Sequence, residues 1–360
     1  LMSAIGLWLI VKNPSVIYEK DSRNFFYVFA LVWSPMLFSL LGAIDLASAG
    51  KTTFSYLHFL FGGYYVYWAA HREKTYRLVG AGVFALVFFA LSDALIQFIF
   101  AVDLFGFPYD GATLKGLFYP KERLGMFLAV LSPLILYVIS TKRYKIFFYV
   151  AAISLIVFIL LLCVKRSAWG MFGLSMLGFS YLIWMNYGTT KKFVAMGFSV
   201  LAAFTLSFAV VMYTPTYKNE VTLSSGFSSG EMQKIDIASN YRLSLWRTGL
   251  SMFLSEPVNG IGPRGYRHVY AEYADPTDFW LRDGENGQTH PHLQLLEIAV
   301  ETGFVGLTGF LLVYLFFLRE IFRETKISMK AEWIFAGLVA WFPLNTHLAF
   351  YGSYWASFVW

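Results

Sequence analysis

Charge is scarce in this sequence. Only 14% of its 360 residues are Asp, Glu, Lys or Arg, where a soluble domain of this length carries about a quarter. Cysteine is almost absent: the single Cys163 lies in an apolar run, which excludes an intrachain disulfide and a cysteine-based metal site. The sequence has no cleavable signal, no internal repeat and no D-x-D pair of the kind that holds a nucleotide-sugar metal. Alternating polar and apolar patterning is missing too, which excludes a membrane β-barrel.

What fills the sequence instead is apolar. Hydrophobic residues make up 58% and aromatics 20%, and the mean hydropathy is +0.57. The runs 25–46, 78–102, 146–164, 193–213 and 293–318 each match the length a helix needs to cross the hydrocarbon core. Because every backbone polar group must be satisfied inside the bilayer, such runs read as helices. The fold class expected is an all-α polytopic membrane protein, with spans at 1–11, 25–46, 54–70, 78–102, 125–140, 146–164, 168–185, 193–213, 293–318, 331–346 and 349–360.

Alternate connections between these spans differ in charge. The set 12–24, 71–77, 141–145, 186–192 and 319–330 carries 15 Lys/Arg, and the opposite short connections carry 6. The positive-inside rule places the first set in the cytoplasm and the long connection 214–292 outside. Residues 1–11 then run inward, which implies one further helix upstream of Leu1 and about twelve spans, with both termini cytoplasmic. Three regions follow: a helix bundle over 1–213, an external loop over 214–292 with an amphipathic helix near 240–254, and C-terminal spans over 293–360. Within the loop, the Ser/Gly-rich stretch 222–230 reads as mobile.

The long loop holds 7 of the chain's 28 Lys/Arg, together with His268, His290 and His292, and chemistry on a polar anionic substrate is expected there. Arg242 follows Ser239 and Asn240, either of which suits a helix N-cap, and Leu243, Trp246, Leu250 and Phe253 recur at helical spacing. A first-turn Arg sits where free N–H groups and the helix dipole already favour an anion, although an interfacial helix touching lipid phosphate gives the same pattern. Arg247 faces elsewhere, towards lipid phosphate. Lys165 and Arg166 stand between two spans on the outer side, where positive charge is disfavoured. They read either as headgroup anchors or as binders of a phosphate beside the membrane, a task for which the planar Arg fork is better suited.

Gly260-Ile261-Gly262-Pro263-Arg264-Gly265 matches G-x-G-x-x-G, but no strand precedes it and Pro263 interrupts it. It is expected to be a tight turn, with Arg264 and Arg267 as solvated surface charge that could help a substrate dock. His290-Pro291-His292 leads into the next span, and an imidazole can take a proton from a hydroxyl near neutral pH. No third ligand at metal spacing accompanies the pair, so neither metal nor cofactor is expected. His347, Asp103, Asp110 and Glu122 are weaker candidates.

These residues resemble the signature of the bacterial O-antigen ligase and polymerase superfamily: Asn240-Tyr241-Arg242 with Trp246, then Pro257, Gly260 and Gly262, then His292 eleven residues before Gly303. Gly116-Leu117-Phe118-Tyr119-Pro120 and Lys165-Arg166-Ser167-Ala168-Trp169 are also similar to family features, and the resemblance covers most of the chain. It implies a membrane-embedded glycosyltransferase of the GT-C type. The donor would be a glycan on undecaprenyl pyrophosphate, and transfer would occur on the periplasmic face of the bacterial inner membrane. In the ligase the acceptor is a sugar hydroxyl of lipid A–core. Carried onto this sequence, Arg166 and Arg242 would bind pyrophosphate and His292 would activate the hydroxyl. Lys165, His290, Arg247, Arg264 and Arg267 would contact substrate. The family often has Asn after its His, whereas Leu293 follows His292 here, so both His290 and His292 stay candidates for the base. The expected partners are the donor, the acceptor and membrane lipids, with no nucleic acid, and the expected state is a monomer.

Rival readings are an O-antigen polymerase, with a second lipid-linked glycan as acceptor, and a protein O-oligosaccharyltransferase. A transporter of an anionic lipid or solute is a third. Only Asp93, Gln97 and Asn345 favour transport, as polar residues within spans.

Overall fold

The computed structural model describes residues 1–70, 72–141, 146–187, 191–215, 218, 222, 225–324 and 328–360. Parts of three cationic connections, at 142–145, 188–190 and 325–327, and residues 223–224 of the Ser/Gly stretch, lie outside the described residues. Among the described residues there is no strand, and one isolated antiparallel bridge joins Val102 and Pro108. Four helices are long and apolar enough to cross a membrane: Lys20–Gly42, Arg77–Phe100, Arg166–Asn186 and Gln294–Arg323. Shorter apolar helices accompany them at Met2–Lys12, Leu124–Val138, Ala151–Leu162 and Val200–Val211. The chain is thus a helical membrane protein.

Several apolar runs of the sequence are not single helices. The run 25–46 is helical from Lys20 to Ser39, tightens into a 3₁₀ turn over Leu40–Gly42, and then gives way to a new helix over Leu46–Ser55. The run 331–346 stops being helical at Ala340, and within 349–360 only Ser353–Val359 is helical. The reason is local: Pro343 disfavours helix in the residue before it, and the segment it opens is bonded elsewhere, as described below.

The chain divides into two compact units. The first comprises Leu1–Leu78, Ser239–Phe316 and Pro343–Trp360. In it, α1 (Met2–Lys12) lies against α4 (Leu57–Ala70), and α2 (Lys20–Ser39) packs on α3 (Leu46–Ser55) and α4. The helices α11 (Arg242–Ser255) and α12 (Tyr266–Tyr273) pack together over a core of Leu245, Met252, Ile261, Tyr266, Val269, Tyr270 and Val300. The helix α13 (Gln294–Arg323) begins in this unit, and α15 (Ser353–Val359) ends it.

The second unit comprises Val79–Ala238 and Phe317–Phe342. Here α7 (Ile146–Leu162) pairs with α9 (Lys191–Val211), and α6 (Leu124–Thr141) pairs with α8 (Arg166–Tyr187), while α14 (Met329–Ala340) packs on α6 and α8. The end of α5 (Glu73–Phe100) and a short α10 (Met232–Ala238) complete it.

Asp93, Gln97 and Asn345 are buried structural groups. Asp93 accepts the Leu104 N–H at 3.1 Å, and the Gln97 carboxamide oxygen accepts the Gly116 N–H at 2.7 Å. Asn345 accepts the His347 N–H at 3.1 Å and donates to Gln294 at 3.4 Å. Each bonds a neighbouring loop, while the second carboxylate oxygen of Asp93 is buried without a hydrogen-bond partner.

Candidate active site

The geometry of the first unit is set by the start of α11. Asn240 and Tyr241 both hold left-handed backbone, with φ of 58° and 55°, which is strained for residues with side chains. Tyr241 is pinned there from outside: its ring stacks on Phe279 at 3.7 Å, and its carbonyl accepts the Trp280 indole N–H at 3.0 Å. Asp278 holds that segment in turn, accepting the Trp280 N–H at 2.8 Å and the Tyr270 hydroxyl at 3.0 Å. The helix begins at Arg242 with Tyr241, and not Ser239 or Asn240, at the N-cap position and without a side-chain cap bond, because the two left-handed residues turn the chain there. The Ser239 hydroxyl accepts the Arg242 N–H at 3.1 Å from outside the helix. From this first turn the guanidinium reaches the Thr346 hydroxyl at 3.4 Å.

Thr346 belongs to the non-helical segment after Pro343, and that segment caps α13. The Asn345 carbonyl accepts the Gln294 N–H at 2.9 Å and the Pro343 carbonyl accepts the Leu295 N–H at 3.3 Å, which satisfies two of the open donors at the helix start. Glu297, fully buried, accepts the Phe350 and Tyr351 N–H groups at 2.8 Å and 3.3 Å. The same stretch of chain therefore touches Arg242 and fixes the helix that His292 leads into.

Immediately before α13, His292 takes φ 49° and is half-buried. Its ring lies 4.0 Å from that of His290, centroid to centroid. His290 is buried, with Nδ1 3.1 Å from the Thr289 hydroxyl. Burial pushes its pKa well below the usual histidine range, and the charges of His292, Arg264 and His347 act in the same direction, against a hydrogen bond to the His347 backbone. His290 is therefore neutral at pH 7.

The glycine-rich segment is a turn, as its sequence predicts, but it is not a surface one. The Ile261 and Gly262 N–H groups donate to the Val300 and Glu301 carbonyls at 2.9 Å and 3.0 Å. Those carbonyls are open because α13 breaks at Gly303, with φ 63° and ψ −162°. A Cβ on Gly303 would lie 2.1 Å from the Val258 carbonyl oxygen, so only glycine fits this approach. Buried Glu301 accepts the Arg264 N–H at 2.6 Å and so holds Arg264 in left-handed backbone, φ 66°. The expectation that Arg264 and Arg267 are solvated is overturned. Arg264 Nη1 and Arg267 Nε and Nη2 are buried, because the turn docks onto the helix break. Arg247, by contrast, is exposed on α11.

In the second unit, Arg166 opens α8 and donates from Nη1 to the Ala238 carbonyl at 3.1 Å, at the end of α10. Its guanidinium also lies 5.3 Å from the centre of the Phe227 ring. Lys165 is ion-paired with Glu122. Among the described residues no three His, Cys, Asp or Glu side chains gather into one group.

Residues 151–311 match the family model described as O-antigen ligase. That match, over a little under half of the chain, supports an assignment to the O-antigen ligase/polymerase superfamily. No curated protein sequence matches the chain. The family is a glycosyltransferase-like enzyme family, and the matched segment runs from α7 past the break in α13, taking in Arg166, Arg242, Arg264, His290 and His292.

Sequence reasoning missed Thr346 altogether and did not single out the structural part of Glu297 and Glu301. Thr346 lies 104 residues from its Arg242 partner, and nothing in its local sequence marks it. The two glutamates carried a signal, since buried carboxylates inside an apolar helix need partners.

Proposed function

We propose that this protein is an O-antigen ligase: it transfers a glycan from undecaprenyl pyrophosphate to a sugar hydroxyl of lipid A–core. In this reading it is a GT-C-type enzyme of about twelve spans in the bacterial inner membrane, with the site on the periplasmic face. The observation that carries the proposal is the convergence in the first unit of Arg242, the Pro343–Thr346 segment and the His290–His292 pair at the start of α13. A cation fixed by one loop and an imidazole fixed by the same loop suit a reaction between an anionic leaving group and a hydroxyl.

The chemistry needs little more. The bond from the sugar's anomeric carbon to the pyrophosphate oxygen breaks, and a bond from that carbon to the acceptor oxygen forms. Arg242 neutralises the charge that develops on the departing pyrophosphate, a role in which one preorganised donor contributes about 10²–10³-fold. His292 takes the proton of the acceptor hydroxyl, worth about 10²–10⁴-fold. Between the two imidazoles, His292 is the better base: it is half-buried, whereas His290 is buried and its protonated form is disfavoured.

The test is transfer by the purified protein from an undecaprenyl-pyrophosphate glycan to lipid A–core, with EDTA present. The expected result is glycan on lipid A–core, lost in Arg242→Ala and His292→Ala and retained in part in His290→Ala. Lengthening of the lipid-linked glycan instead would make the protein a polymerase, and transfer only to Ser or Thr of a protein would make it an oligosaccharyltransferase. Uptake into proteoliposomes surviving Arg242→Ala and His292→Ala together would favour transport.

A further inference from the structure

We infer that the turn carrying Arg264 and Arg267 is an oxyanion site for a phosphate or carboxylate group on the acceptor saccharide. The inference rests on the transfer reaction proposed above only in naming the acceptor as the source of the anion.

Three observations carry it. The first is the state of the two guanidiniums. Arg267 Nε and Nη2 are both buried without a hydrogen-bond partner, as is Arg264 Nη1. Nε and Nη2 form one edge of a guanidinium, a pair of parallel N–H donors spaced for two oxygens of a carboxylate or phosphate. A buried donor left unmet is destabilising, more so when charged, and a bound oxyanion would satisfy this edge.

The second observation is that the nearby carboxylates make their bonds elsewhere, through both oxygens of Glu297 and through Oε2 of Glu301, whose Oε1 is itself buried without a hydrogen-bond partner. Glu297 is held by the backbone of Phe350 and Tyr351, and Glu301 by the backbone N–H of Arg264. Among the described residues neither guanidinium forms an ion pair within 4.0 Å. The charges of Arg264 and of the glutamates act on one another at longer range, but no carboxylate occupies the donor edges.

The third is rigidity and place. Arg264 is fixed in left-handed backbone by the Glu301 bond and by a turn that bonds to the broken helix at Val300 and Glu301. Such strain is kept where the surroundings over-determine it. The turn bonds to α13, the helix that the proposed base His292 leads into, and this shared helix is the ground for assigning the turn to the acceptor. Arg242, held by Thr346, is left for the donor.

Two measurements test this. In the first, D-glucose 6-phosphate is titrated against the purified full chain in detergent and followed by ³¹P line broadening. Broadening is expected with wild type and with Arg242→Ala, and its loss with Arg264→Gln/Arg267→Gln and with Arg267→Gln alone. The single variant keeps the test valid if the double variant unfolds. Absence of broadening in wild type, or its survival in Arg267→Gln, would overturn the site. Loss in Arg242→Ala would assign the phosphate to the donor site instead, and also overturn it.

The second compares lipid A–core with the same acceptor after enzymatic removal of its phosphates. Arg267→Gln is expected to raise the acceptor KM about tenfold on the phosphorylated form, which corresponds to about 1.4 kcal/mol, and less than twofold on the other. Equal effects on both would overturn the assignment to the acceptor. Wild type transferring to neither form would count against the ligase reading, while the phosphosugar titration would still decide the site.

Discussion

Both units fold a loop by burying a polar side chain inside a long apolar helix, and they differ in what happens to the loop's cations. In the second unit Gln97 and Asp93 of α5 hold the 101–123 loop through its backbone, and two neighbouring cations are ion-paired, Lys115 with Asp110 at 3.0 Å and Lys165 with Glu122. In the first unit Glu297 and Glu301 of α13 hold the 350–351 and 260–265 segments through their backbone, and among the described residues Arg264 and Arg267 form no ion pair. Loop folding and charge are therefore separable. One unit uses the device to build a closed loop, the other to build a loop with cationic donors to spare.

The largest effect expected breaks the comparison into its two halves. His292→Ala should lower the transfer rate by about 10²-fold or more and leave the apparent Tm in detergent unchanged. Gln97→Ala should do the reverse. It removes bonds to the Lys115 and Gly116 N–H groups and to the Phe107 and Pro108 carbonyls. The apparent Tm should therefore fall by several degrees while the folded protein keeps its rate. Initial rates normalised to folded protein, beside fluorescence-detected unfolding, check both. A Gln97→Ala enzyme that is stable and inactive would defeat the division.

Next comes the helix break. Gly303→Ala puts a Cβ 2.1 Å from the Val258 carbonyl oxygen and a side chain at φ 63°. It should destabilise the first unit by roughly 3 kcal/mol and undock the turn. Proteolysis between 256 and 266 should then become faster, and protection equal to wild type would show that the break does not hold the turn.

The break also marks what could be read in advance. Apolar runs reported membrane helices because burial of backbone in lipid leaves few alternatives, and the helical spacing of Leu243, Trp246, Leu250 and Phe253 reported the helix that begins at Arg242, although its N-cap is Tyr241 and neither Ser239 nor Asn240. The fate of Arg264 was not local. Pro263 and three glycines announce a turn, and a turn is ordinarily wet. This one is buried because α13 opens its carbonyls 40 residues later in the sequence. Thr346 was hidden for the same reason, since a hydroxyl in a loop acquires meaning only from the distant chain that reaches it.

A smaller effect sharpens the electrostatics of the first unit through pH. His290 is held neutral in the fold by burial first and by the charges of His292, Arg264 and His347 after that. The unfolded chain takes up a proton near the ordinary value of about 6.5. Below that pH the unfolded state binds the extra proton and the folded state does not. Stability is thus fully present above pH 6.5 and is lost as pH falls, by roughly 1 kcal/mol at pH 5.5. The apparent Tm difference between pH 7.5 and 5.5 should shrink in His290→Gln, and an unchanged difference would place the acid sensitivity elsewhere.

The smallest effect concerns the neutralised side of the comparison. Lys165 and Glu122 are partly exposed, with side chains 18% and 35% accessible, so solvent screens their attraction and the pair contributes a few tenths of a kcal/mol up to about 1. Lys165→Glu alone should lower the apparent Tm slightly at low salt, because it sets two carboxylates together. Lys165→Glu with Glu122→Lys should restore it, and both changes should fade at 1 M salt, where the screening length is about 3 Å. Restoration by the swap would show that Lys165 serves the loop as a counter-charge. A swap that leaves the Tm low while 1 M salt changes nothing would mean that packing of the two stems, and not charge, ties this loop down.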